Sequence, residues 1–388
     1  MKRFILLIVI LSVFLLSSFD SYAKSSEPEE TQDLLSDAKI RSAVLMEAET
    51  GEIIYSKNER EAYSPASVTK IMTLLLAAEA LEAKAFSLSD SVKISSYAAS
   101  MGGSQVFLEE GESISVEELI KCAVIASAND AAVALAELVS GSEETFVSKM
   151  NERARELGMT STNFENVTGL DDTTENHVTS SLDIAIMSRE LIRHEIILKY
   201  SSLWQDTIRN GEFTLTNTNR LVRFYDGCNG LKTGSTDKAG YCVSATAKRN
   251  DMQLIAVIMG AETRDVRNAA ASKLLDYGFA NYTLYSCAEK AVFDVPVKFG
   301  VKDASTLYEG EFKALIKKTD AKGIDKVYNA PKSLSAEVKA YEQLGTVEYM
   351  LSGKKIGEAP IYSKEMIERI SFFGLWKKVF LEIFTPSI

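Results

Sequence analysis

Apolar residues recur at helical spacing through much of the first half of the chain. The run IMTLLLAAEALEA follows Pro65, and a proline in the first turn beside Ser or Thr is typical of a helix start. The same helical period recurs in four later segments, 116–126, 131–141, 146–158 and 181–194. The pattern predicts a helix from Pro65 to about Ala83 and a mainly helical stretch over residues 85–225.

Strand patterns lie on both sides of this helical stretch. The segment RSAVLMEAETGEIIYSKN predicts two strands around a turn at Thr50-Gly51. Later segments predict three strands and a closing helix, at 229–236, 241–248, 252–260 and 264–283. The economical arrangement is an α/β (α+β) domain: a five-stranded antiparallel sheet with strands from both ends of the domain, flanked by helices and carrying an inserted helical lobe.

After about residue 288 the pattern changes to short alternating strands. The segments VFDVPVKF, TVEYML and KIGEAPIYS are separated by turn residues, and SGKK indicates a hairpin between the last two. The sequence therefore predicts a small, separate all-β domain over residues 288–360, which follows a first domain over residues 38–287.

The last segment, 361–388, predicts an amphipathic helix. It includes FFGLWKKVFLEIF, in which large apolar residues stand beside charges that are too many for a bilayer span. A helix in the membrane plane would place Trp376 and the phenylalanines in the lipid and Lys377 and Lys378 at the headgroups. The alternative is a terminal helix docked on the protein's own surface, and Gly374 is a point at which the helix could be broken.

The N-terminal residues predict export. Lys2 and Arg3 precede a short apolar run, and small residues follow at the cleavage position, which is typical of a secretory signal peptide over residues 1–23. An uncleaved N-terminal anchor is the alternative. The next segment, 24–37, is polar and acidic and predicts a loose leader.

Composition narrows the possible partners. The chain has 388 residues and a formal net charge of −11 without basic clusters, which argues against nucleic acid as a partner. The widely spaced cysteines and the two histidines predict no structural zinc site. We expect the cysteines to be mostly small buried hydrophobic residues, at positions Cys122, Cys228, Cys242 and Cys287.

A candidate nucleophile opens the first long helix. Ser-x-x-Lys occurs five times in the chain, but only Ser67 lies at the start of a strongly apolar helix. Residues i and i+3 share a helix face, so the Lys70 amine can lie beside the Ser67 hydroxyl. Lysine is a base only when it is neutral, and lowering its pKa from about 10.4 to near 7 costs roughly 4 kcal/mol. Burial and a second cation nearby would both lower the pKa.

Two further motifs add polar groups. Ser127-Ala128-Asn129 interrupts two apolar helices, and the simplest reading of Ser127 is an N-cap of the second helix, which is compatible with a catalytic role. Lys232-Thr233-Gly234 occurs once, on a predicted strand. Lys and Thr can bond an anionic group there, and glycine lets the backbone approach a ligand. An ordinary strand with a turn glycine is the alternative.

The order Ser-x-x-Lys, Ser-x-Asn, Lys-Thr-Gly resembles that of the low-molecular-mass penicillin-binding proteins, the serine-type D-alanyl-D-alanine carboxypeptidases. Stretches such as ASANDAAVALAE and GLKTGSTDKAGYCVSATAKR extend the resemblance over nearly the whole mature chain. Within the family, the chain resembles the sporulation-associated carboxypeptidases of spore-forming bacteria. The resemblance implies a β-lactamase/transpeptidase-like fold and removal of the terminal D-alanine from peptidoglycan stem peptides.

The resemblance also implies roles for individual residues. Ser67 would be the nucleophile, Lys70 the base and Ser127 the relay that passes a proton to the leaving D-alanine. The backbone N–H groups of Ser67 and Ser235 would form the oxyanion hole. The residues expected to bind and orient the substrate are Asn129, Lys232, Thr233, Gly234, Ser235 and Arg267. Asn129 would also steady Lys70.

The implied partners are a stem pentapeptide ending in D-Ala-D-Ala, β-lactams as covalent inhibitors and a membrane surface that binds the C-terminal helix. No metal or cofactor is expected, and the expected location is the outer face of the cytoplasmic membrane. Three alternatives stay open. A β-lactamase would want a Glu-x-x-Leu-Asn string, which the sequence lacks. An endopeptidase or transpeptidase would use the same acyl-enzyme, and a degenerate member would only bind wall peptides or β-lactams.

Overall fold

The structure is a computed structural model that describes residues 34–172 and 174–384. The predicted signal peptide and most of the predicted acidic leader lie outside the described residues.

The described residues form a set of strands that we number in chain order. They are β1 Ser42–Glu47, β2 Ile53–Lys57, β3 Ser91–Lys93, β4 Ser113–Ser115, β5 Gln205–Ile208, β6 Phe213–Thr216, β7 Cys228–Thr236, β8 Gly240–Arg249, β9 Met252–Ala261, β10 Tyr282–Cys287, β11 Lys290–Lys298, β12 Ala304–Glu309, β13 Phe312–Lys317, β14 Ile324–Asn329, β15 Leu334–Ser335, β16 Gln343–Leu351 and β17 Lys354–Ser363.

The α-helices of the described residues are numbered in the same way. They are α1 Lys70–Glu82, α2 Ser96–Ala99, α3 Val116–Lys121, α4 Asn129–Ser140, α5 Glu143–Glu156, α6 Ser181–Leu191, α7 Glu195–Ser201, α8 Leu221–Phe224, α9 Arg264–Asn281 and α10 Phe372–Phe384. Short 3₁₀ turns cover Ala66–Thr69, Arg209–Gly211 and Lys318–Asp320, and a π-helical turn covers Cys122–Ala126.

The central sheet has the strand order β2-β1-β9-β8-β7 and is antiparallel throughout. Its first two strands come from the start of the domain and its last three from the end, as the sequence pattern predicts. Helices α6 and α9 pack against β9, where most residues are buried because helices cover the sheet. Helix α1 lies within the same core, and its apolar residues from Ile71 to Ala78 are mostly buried.

Residues 85–225 are less helical than their pattern predicts. Two small antiparallel sheets, β3 with β4 and β5 with β6, lie in this stretch, together with long loops. Each of these strands has only three or four residues, which is too few for a clear alternation of apolar and polar positions. The inserted lobe therefore combines helices with small sheets and loops.

The β-rich region begins earlier than residue 288. Strand β10 starts at Tyr282, directly after α9, and pairs with β13. The other strands form a six-stranded sheet in the order β14-β16-β17-β12-β11-β15, with the predicted hairpin between β16 and β17. Its core includes Phe312 stacked on Tyr349 at a ring-centroid distance of 3.8 Å. The prediction failed at β10 because this strand continues from a helix with no turn residue between them.

The C-terminal helix begins at Phe372 and not at residue 361. Residues up to Ser363 complete β17, and Ile367 pairs with Val338 and is fully buried. The next paired residue is Arg369, opposite Gly300. Gly374 lies within the first turn of α10 and does not end the helix. In the described part of the chain, no helix has both the length and the apolar character needed to cross a membrane.

Candidate active site

Ser67 lies on the 3₁₀ turn that leads into α1. The sequence predicts a helix start here, and the structure forms it as one tight turn, Ala66–Thr69, followed by the α-helix from Lys70. Ser67 is half-buried, whereas the flanking Ala66 and Val68 are fully buried. The turn therefore presents the Ser67 hydroxyl while its neighbours anchor it in the core.

Lys70 is buried and makes three polar contacts through its amine. The Nζ atom lies 3.1 Å from Ser67 Oγ, 2.5 Å from Asn129 Oδ1 and 2.8 Å from the backbone oxygen of Thr168. The loop that supplies Thr168 passes directly beside the 3₁₀ turn Ala66–Thr69. We call this turn the nucleophile turn, after the candidate nucleophile Ser67 that it carries. A Cβ atom at Gly169 would lie 1.9 Å from Ala66 O.

 At the φ of +82° that Gly169 adopts, a side chain would also be strained, so only glycine suits this close approach.

The hydrogen bonds that the Lys70 amine donates determine which side of the amine faces Ser67. The oxygens of Asn129 and Thr168 can only accept, so each takes one N–H from Lys70. The orientation of the Asn129 amide follows from its other end, because Nδ2 donates to Gly102 O at 2.7 Å. A neutral amine has two N–H bonds and one lone pair. With both N–H bonds used, the lone pair faces the Ser67 hydroxyl.

The surroundings of Lys70 favour this neutral form. Burial lowers the pKa of Lys70 well below its ordinary value, and the charge of Lys232 lowers it further, while Asp130 opposes the shift. Burial also lowers the pKa of Lys232 to about 7, with a smaller contribution from Arg267. The two conditions that the sequence argument required, burial and a second cation, are both present.

Ser127 faces Lys232 and does not cap a helix. It has a left-handed backbone, with φ of 63°, at the end of the π-helical turn. The N-cap of α4 is Ala128, which makes no side-chain capping bond, so the N-cap reading of Ser127 is wrong. The left-handed turn instead directs the hydroxyl towards Lys232, whose Nζ donates to Ser127 Oγ at 2.7 Å. Lys232 also donates to the backbone oxygen of Thr233 at 2.9 Å.

The Lys-Thr-Gly strand lies against the nucleophile turn. Strand β7 pairs with β8, with Lys232 opposite Ser244 and Gly234 opposite Cys242. A Cβ atom on Gly234 would lie 2.8 Å from both Pro65 O and Ser67 N. Glycine is therefore required because two backbone segments meet here. Ser235, the next residue on β7, is exposed.

A polar cleft of about 440 Å³ opens above these residues. The predicted site residues that line it are Ser67, Ser127, Thr233, Gly234, Ser235 and Arg267. Lys70, Asn129 and Lys232 lie behind its wall, each at most 1 % exposed. Asn129 therefore contacts Lys70 and the 102–104 loop, and both polar ends of its amide are engaged within the protein.

The cleft is positively charged at one end. Arg220, Arg264 and Arg267 all line it, and none forms an ion pair with a carboxylate among the residues that the structure describes. Arg267 is 3 % exposed, and burial, with the charge of Arg264, lowers its pKa to about 10. Its guanidinium donates to Asn268 Oδ1. An unpaired buried cation at the wall of a cleft favours an anionic ligand.

Sequence reasoning missed several of these residues. Four residues that line the cleft belong to no recognisable sequence motif, namely Trp204, Thr218, Arg220 and Arg264. Asp130 follows Asn129 directly, and its carboxylate accepts from the N–H groups of Val106 and Leu108 at 3.0 and 3.1 Å. Asp130, which completes Ser127-Ala128-Asn129-Asp130, was therefore a usable signal for a held loop, because a buried carboxylate beside a polar turn commonly binds the backbone of a loop.

His177 links the loop behind the site to the nucleophile turn. The N–H of Glu165 donates to His177 Nδ1 at 3.0 Å, so the ring proton is on Nε2, which lies 2.8 Å from Thr69 Oγ1. Thr69 in turn donates to Ala66 O at 2.8 Å. Burial lowers the pKa of His177 to about 4. The neutral ring therefore positions the turn that carries Ser67 without contacting Ser67.

We expect His177→Gln to flatten the dependence of stability on pH. The folded-state pKa of about 4 is below the ordinary 6.5, so the unfolded chain binds more protons between these values. Stability should therefore fall as the pH falls from 6.5 to 4, by up to about 3 kcal/mol. Urea unfolding across this range measures it. A slope in His177→Gln equal to that of the wild type would contradict this role.

The described residues were also predicted to lack a metal site and to hold mostly buried cysteines. No cluster of three or more His, Cys, Asp or Glu side chains suited to a metal ion occurs in the described part of the chain. The four cysteines are all described and are free thiols. Three of them are buried, as predicted, and Cys287 is partly exposed.

The geometry brings a buried lysine amine against a serine hydroxyl at a polar cleft, as a serine hydrolase requires, and comparison with known proteins identifies the family of the chain. The model of the D-alanyl-D-alanine carboxypeptidase family matches residues 26–263, and that of the C-terminal domain of penicillin-binding protein 5 matches residues 279–369. The chain therefore belongs to the D-alanyl-D-alanine carboxypeptidase family. It is a serine-type D-Ala-D-Ala carboxypeptidase, which confirms the family and the activity predicted from the sequence.

Individual relatives agree over nearly the full length. The chain is 41 % identical to the D-alanyl-D-alanine carboxypeptidase DacF of Bacillus subtilis, covering 97 % of this chain and 98 % of the relative. The structure of penicillin-binding protein 5 from Haemophilus influenzae is 32 % identical with a TM-score of 0.75, covering 86 % of this chain and 98 % of that one. This similarity confirms the predicted fold class.

A third relative is known with a bound inhibitor. Penicillin-binding protein D2 from Listeria monocytogenes was solved in an ampicillin-bound form. It is 31 % identical to this chain with a TM-score of 0.58, over 62 % of this chain and 98 % of that one.

Proposed function

We propose that this carboxypeptidase acts through an acyl-enzyme in which Ser67 is the nucleophile and Lys70 the base. The observation that carries this proposal is the Lys70 amine, buried and 3.1 Å from Ser67 Oγ with both N–H bonds engaged elsewhere. Lys70 takes the hydroxyl proton as the Ser67 oxygen attacks the carbonyl carbon of the penultimate D-alanine. The substrate is a peptidoglycan stem peptide ending in D-Ala-D-Ala.

The oxyanion formed in this step needs two donors. The backbone N–H groups of Ser67 and Ser235 are the proposed pair. The close approach of Gly234 to Ser67 N supports this assignment, because it brings the edge of β7 against the nucleophile turn. Donors on a fixed strand and a fixed turn are already oriented when charge develops on the oxygen, so little reorganisation is needed.

The leaving D-alanine amine must receive a proton. Ser127 is the proposed relay, because it lines the cleft and its Oγ accepts from Lys232 at 2.7 Å. With a pKa of about 7, Lys232 can hold or lose a proton near neutral pH. The proton that Lys70 took from Ser67 passes through the Ser127 hydroxyl to the amine as the C–N bond breaks. In deacylation, water attacks the acyl carbon as it loses a proton to Lys70, and Lys70 returns that proton to the Ser67 oxygen as the ester C–O bond breaks.

The positive end of the cleft is the proposed site for the terminal carboxylate. Arg267 and Thr233 line the wall there, and Arg220 and Arg264 lie nearby in the same cleft. A guanidinium and a hydroxyl together bond both carboxylate oxygens. Binding at this end would orient the substrate so that its scissile carbonyl lies over Ser67. β-Lactams carry a carboxylate beside a strained amide, and we infer that they acylate Ser67 in the same orientation.

Intact-mass measurement after incubation with penicillin tests the nucleophile. We expect a single adduct on the wild-type protein and none on Ser67→Ala. Ser104→Ala, which alters a second serine of the same cleft, is the control and should be labelled like the wild type. An adduct on Ser67→Ala would refute the assignment.

With cross-linked and uncross-linked wall peptides, release of D-alanine without loss of cross-links separates carboxypeptidase from endopeptidase action.

We also propose that α10 anchors the exported protein at the outer face of the cytoplasmic membrane. Its large apolar side chains are exposed, with Phe373 83 %, Trp376 65 % and Ile383 65 % exposed to solvent. Lys377 stands beside Trp376, where it can reach lipid headgroups. An apolar helix face that remains this exposed is not packed against the protein's own surface, which supports the membrane interpretation.

Truncation after Ser371 tests the anchor. This cut spares β17 and the buried Ile367, which a cut at residue 361 would remove. We expect the mature truncated protein to lose sedimentation with phospholipid vesicles while D-alanine release by the purified protein is unchanged. Continued sedimentation with vesicles would contradict the anchor.

A further inference from the structure

A turn at one end of the β-rich region exposes large apolar side chains. Between β11 and β12, Phe299 is 53 % exposed and Val301 is 55 % exposed. Met366, on the neighbouring segment, is 55 % exposed. We call these three residues the apolar turn. Arg369 lies over the ring of Phe299, 5.8 Å from its centroid, yet the ring stays more than half exposed. A cluster of exposed apolar side chains marks a contact surface.

The apolar turn is joined directly to the start of α10. The N–H of Ile370 donates to Phe299 O at 2.8 Å, and the N–H of Val301 donates to Glu368 O at 3.0 Å. Gly300 forms a bridge with Arg369. Further along the helix, Lys378 pairs with Asp303, which ends the turn. These contacts hold the helix and the turn as neighbours.

We propose that the apolar turn is a second membrane-contacting element, which enters the lipid interface beside α10. This inference rests on the proposed anchoring by α10 and adds a surface of the folded β-rich region to it. The apolar turn and the apolar face of α10 form one continuous surface. A protein bound at the turn would have to displace the membrane from half of this surface, so we take lipid as the occupant of both halves. Lys298 and Lys302 flank the turn and are exposed, and Lys302 also pairs with Glu365 on the neighbouring segment. Exposed basic side chains at this position can reach headgroups.

Two contacts with the membrane constrain the orientation of the protein more than one contact does. A helix in the membrane plane touches the membrane along a single line, so by itself it limits rotation of the attached domain about the helix axis only weakly. A second contact at the apolar turn removes much of that rotation, because the turn lies beside the axis and belongs to the β-sheet. The height and direction of the catalytic cleft relative to the membrane would then be set by the β-rich region and not by the linker to the helix alone.

Tryptophan fluorescence with full-length mature protein tests the insertion. The native tryptophans, Trp204 and Trp376, are replaced by phenylalanine, and one tryptophan is introduced by Val301→Trp. The matched control is Val327→Trp on β14, which is 45 % exposed and lies at the other end of the six-stranded sheet from β11. The probe is a vesicle of phosphatidylglycerol and phosphatidylcholine, with or without brominated acyl chains.

We expect brominated vesicles to quench the tryptophan at position 301 and to leave that at position 327 unquenched. A Trp204→Phe protein that keeps Trp376 reports on the helix separately. Quenching at 376 without quenching at 301 would overturn this inference while the anchor stands. Absence of quenching at 376 would overturn the anchor itself, and the inference with it. Quenching at 327 as strongly as at 301 would also overturn the inference, because contact would not be specific to the turn.

The affinity for vesicles gives an independent measurement. The double change Phe299→Ser/Val301→Ser should weaken partitioning about tenfold, because an aromatic and a branched side chain lose burial in the interface. Val327→Ser should leave partitioning unchanged. The loss should occur with purely zwitterionic vesicles as well as with anionic ones, since it removes apolar contact. An equal affinity of the double variant and the wild type would refute the inference.

Discussion

Replacement of Lys70 by methionine should slow acylation of Ser67 by penicillin by at least about a thousandfold. Methionine keeps an unbranched chain of similar length but has no lone pair that can accept the hydroxyl proton. In the wild type that lone pair faces Ser67, because Asn129 and Thr168 take both N–H bonds of the neutral amine. Stopped-flow measurement of penicillin acylation and the release of D-alanine from a stem peptide would both record the loss.

The pH dependence of acylation gives a second test of the same residue. The pKa of Lys70 is held well below its ordinary value, first by burial and then by Lys232, so the base is neutral without alkaline conditions. The wild-type rate should therefore fall only as the pH becomes acidic and Lys70 gains a proton. Removing the second cation, in Lys232→Gln, should raise the pKa of Lys70 and move this fall to higher pH.

Two outcomes would contradict the role of Lys70. One is an acylation rate of Lys70→Met within tenfold of the wild type, and the other is an acid limb that does not move in Lys232→Gln. Circular dichroism should show that Lys70→Met is folded, so that a lost activity is not a lost fold. The exposed Lys93→Met serves as the matched control for a lysine-to-methionine change and should leave the rate unchanged.

The sequence predicts the short-range part of this site well. Ser67 and Lys70 are three residues apart on one helical turn, so their contact follows from local geometry alone. The need for burial and for a second cation followed from the chemistry of a lysine base. The resemblance adds the contact of Asn129 with Lys70, but the contact of Lys70 with Thr168, which completes the orientation of the amine, was not predicted. A backbone oxygen such as that of Thr168 leaves no residue-type signal.

Ser127 and His177 show two different limits of sequence reasoning. The N-cap reading of Ser127 failed because the backbone turns left-handed there, and Ser127 then faces Lys232. His177 lies far from Ser67 in the chain and has no motif, yet its ring contacts Thr69 on the nucleophile turn. In both cases tertiary packing decides the contact, and a helical or strand period carries no information about it.

The fold was predictable where strands and helices are long. The five strands of the central sheet and helices α1 and α9 follow from clear periods, whereas β3 to β6 are too short to show one. The start of α10 was predicted too early because residues 364–371 include both buried and exposed apolar side chains. Ile367 packs into the β-rich core, while Met366 beside it is exposed. Alternation over so few residues does not distinguish a strand-like edge from a helix start.

Gly234→Ala should slow acylation by about a hundredfold, although it adds only one methyl group. The new Cβ would lie 2.8 Å from Pro65 O and Ser67 N and 2.9 Å from Val68 N. All three are backbone atoms, so no side chain can rotate away, and β7 must move from the nucleophile turn. That movement separates Ser235 from Ser67 and disrupts the proposed oxyanion hole, while overpacking costs about 1–3 kcal/mol of stability.

The measurement for Gly234→Ala is the penicillin acylation rate together with the free energy of unfolding in urea. Gly323→Ala is the matched control, because its Cβ would meet nothing closer than 3.6 Å and it lies in the β-rich region. The control should match the wild type in rate. If Gly234→Ala loses stability but keeps its acylation rate, the strand can move without disturbing Ser67. The close contact would then be a packing feature of the fold, and the oxyanion donors would have to be sought elsewhere.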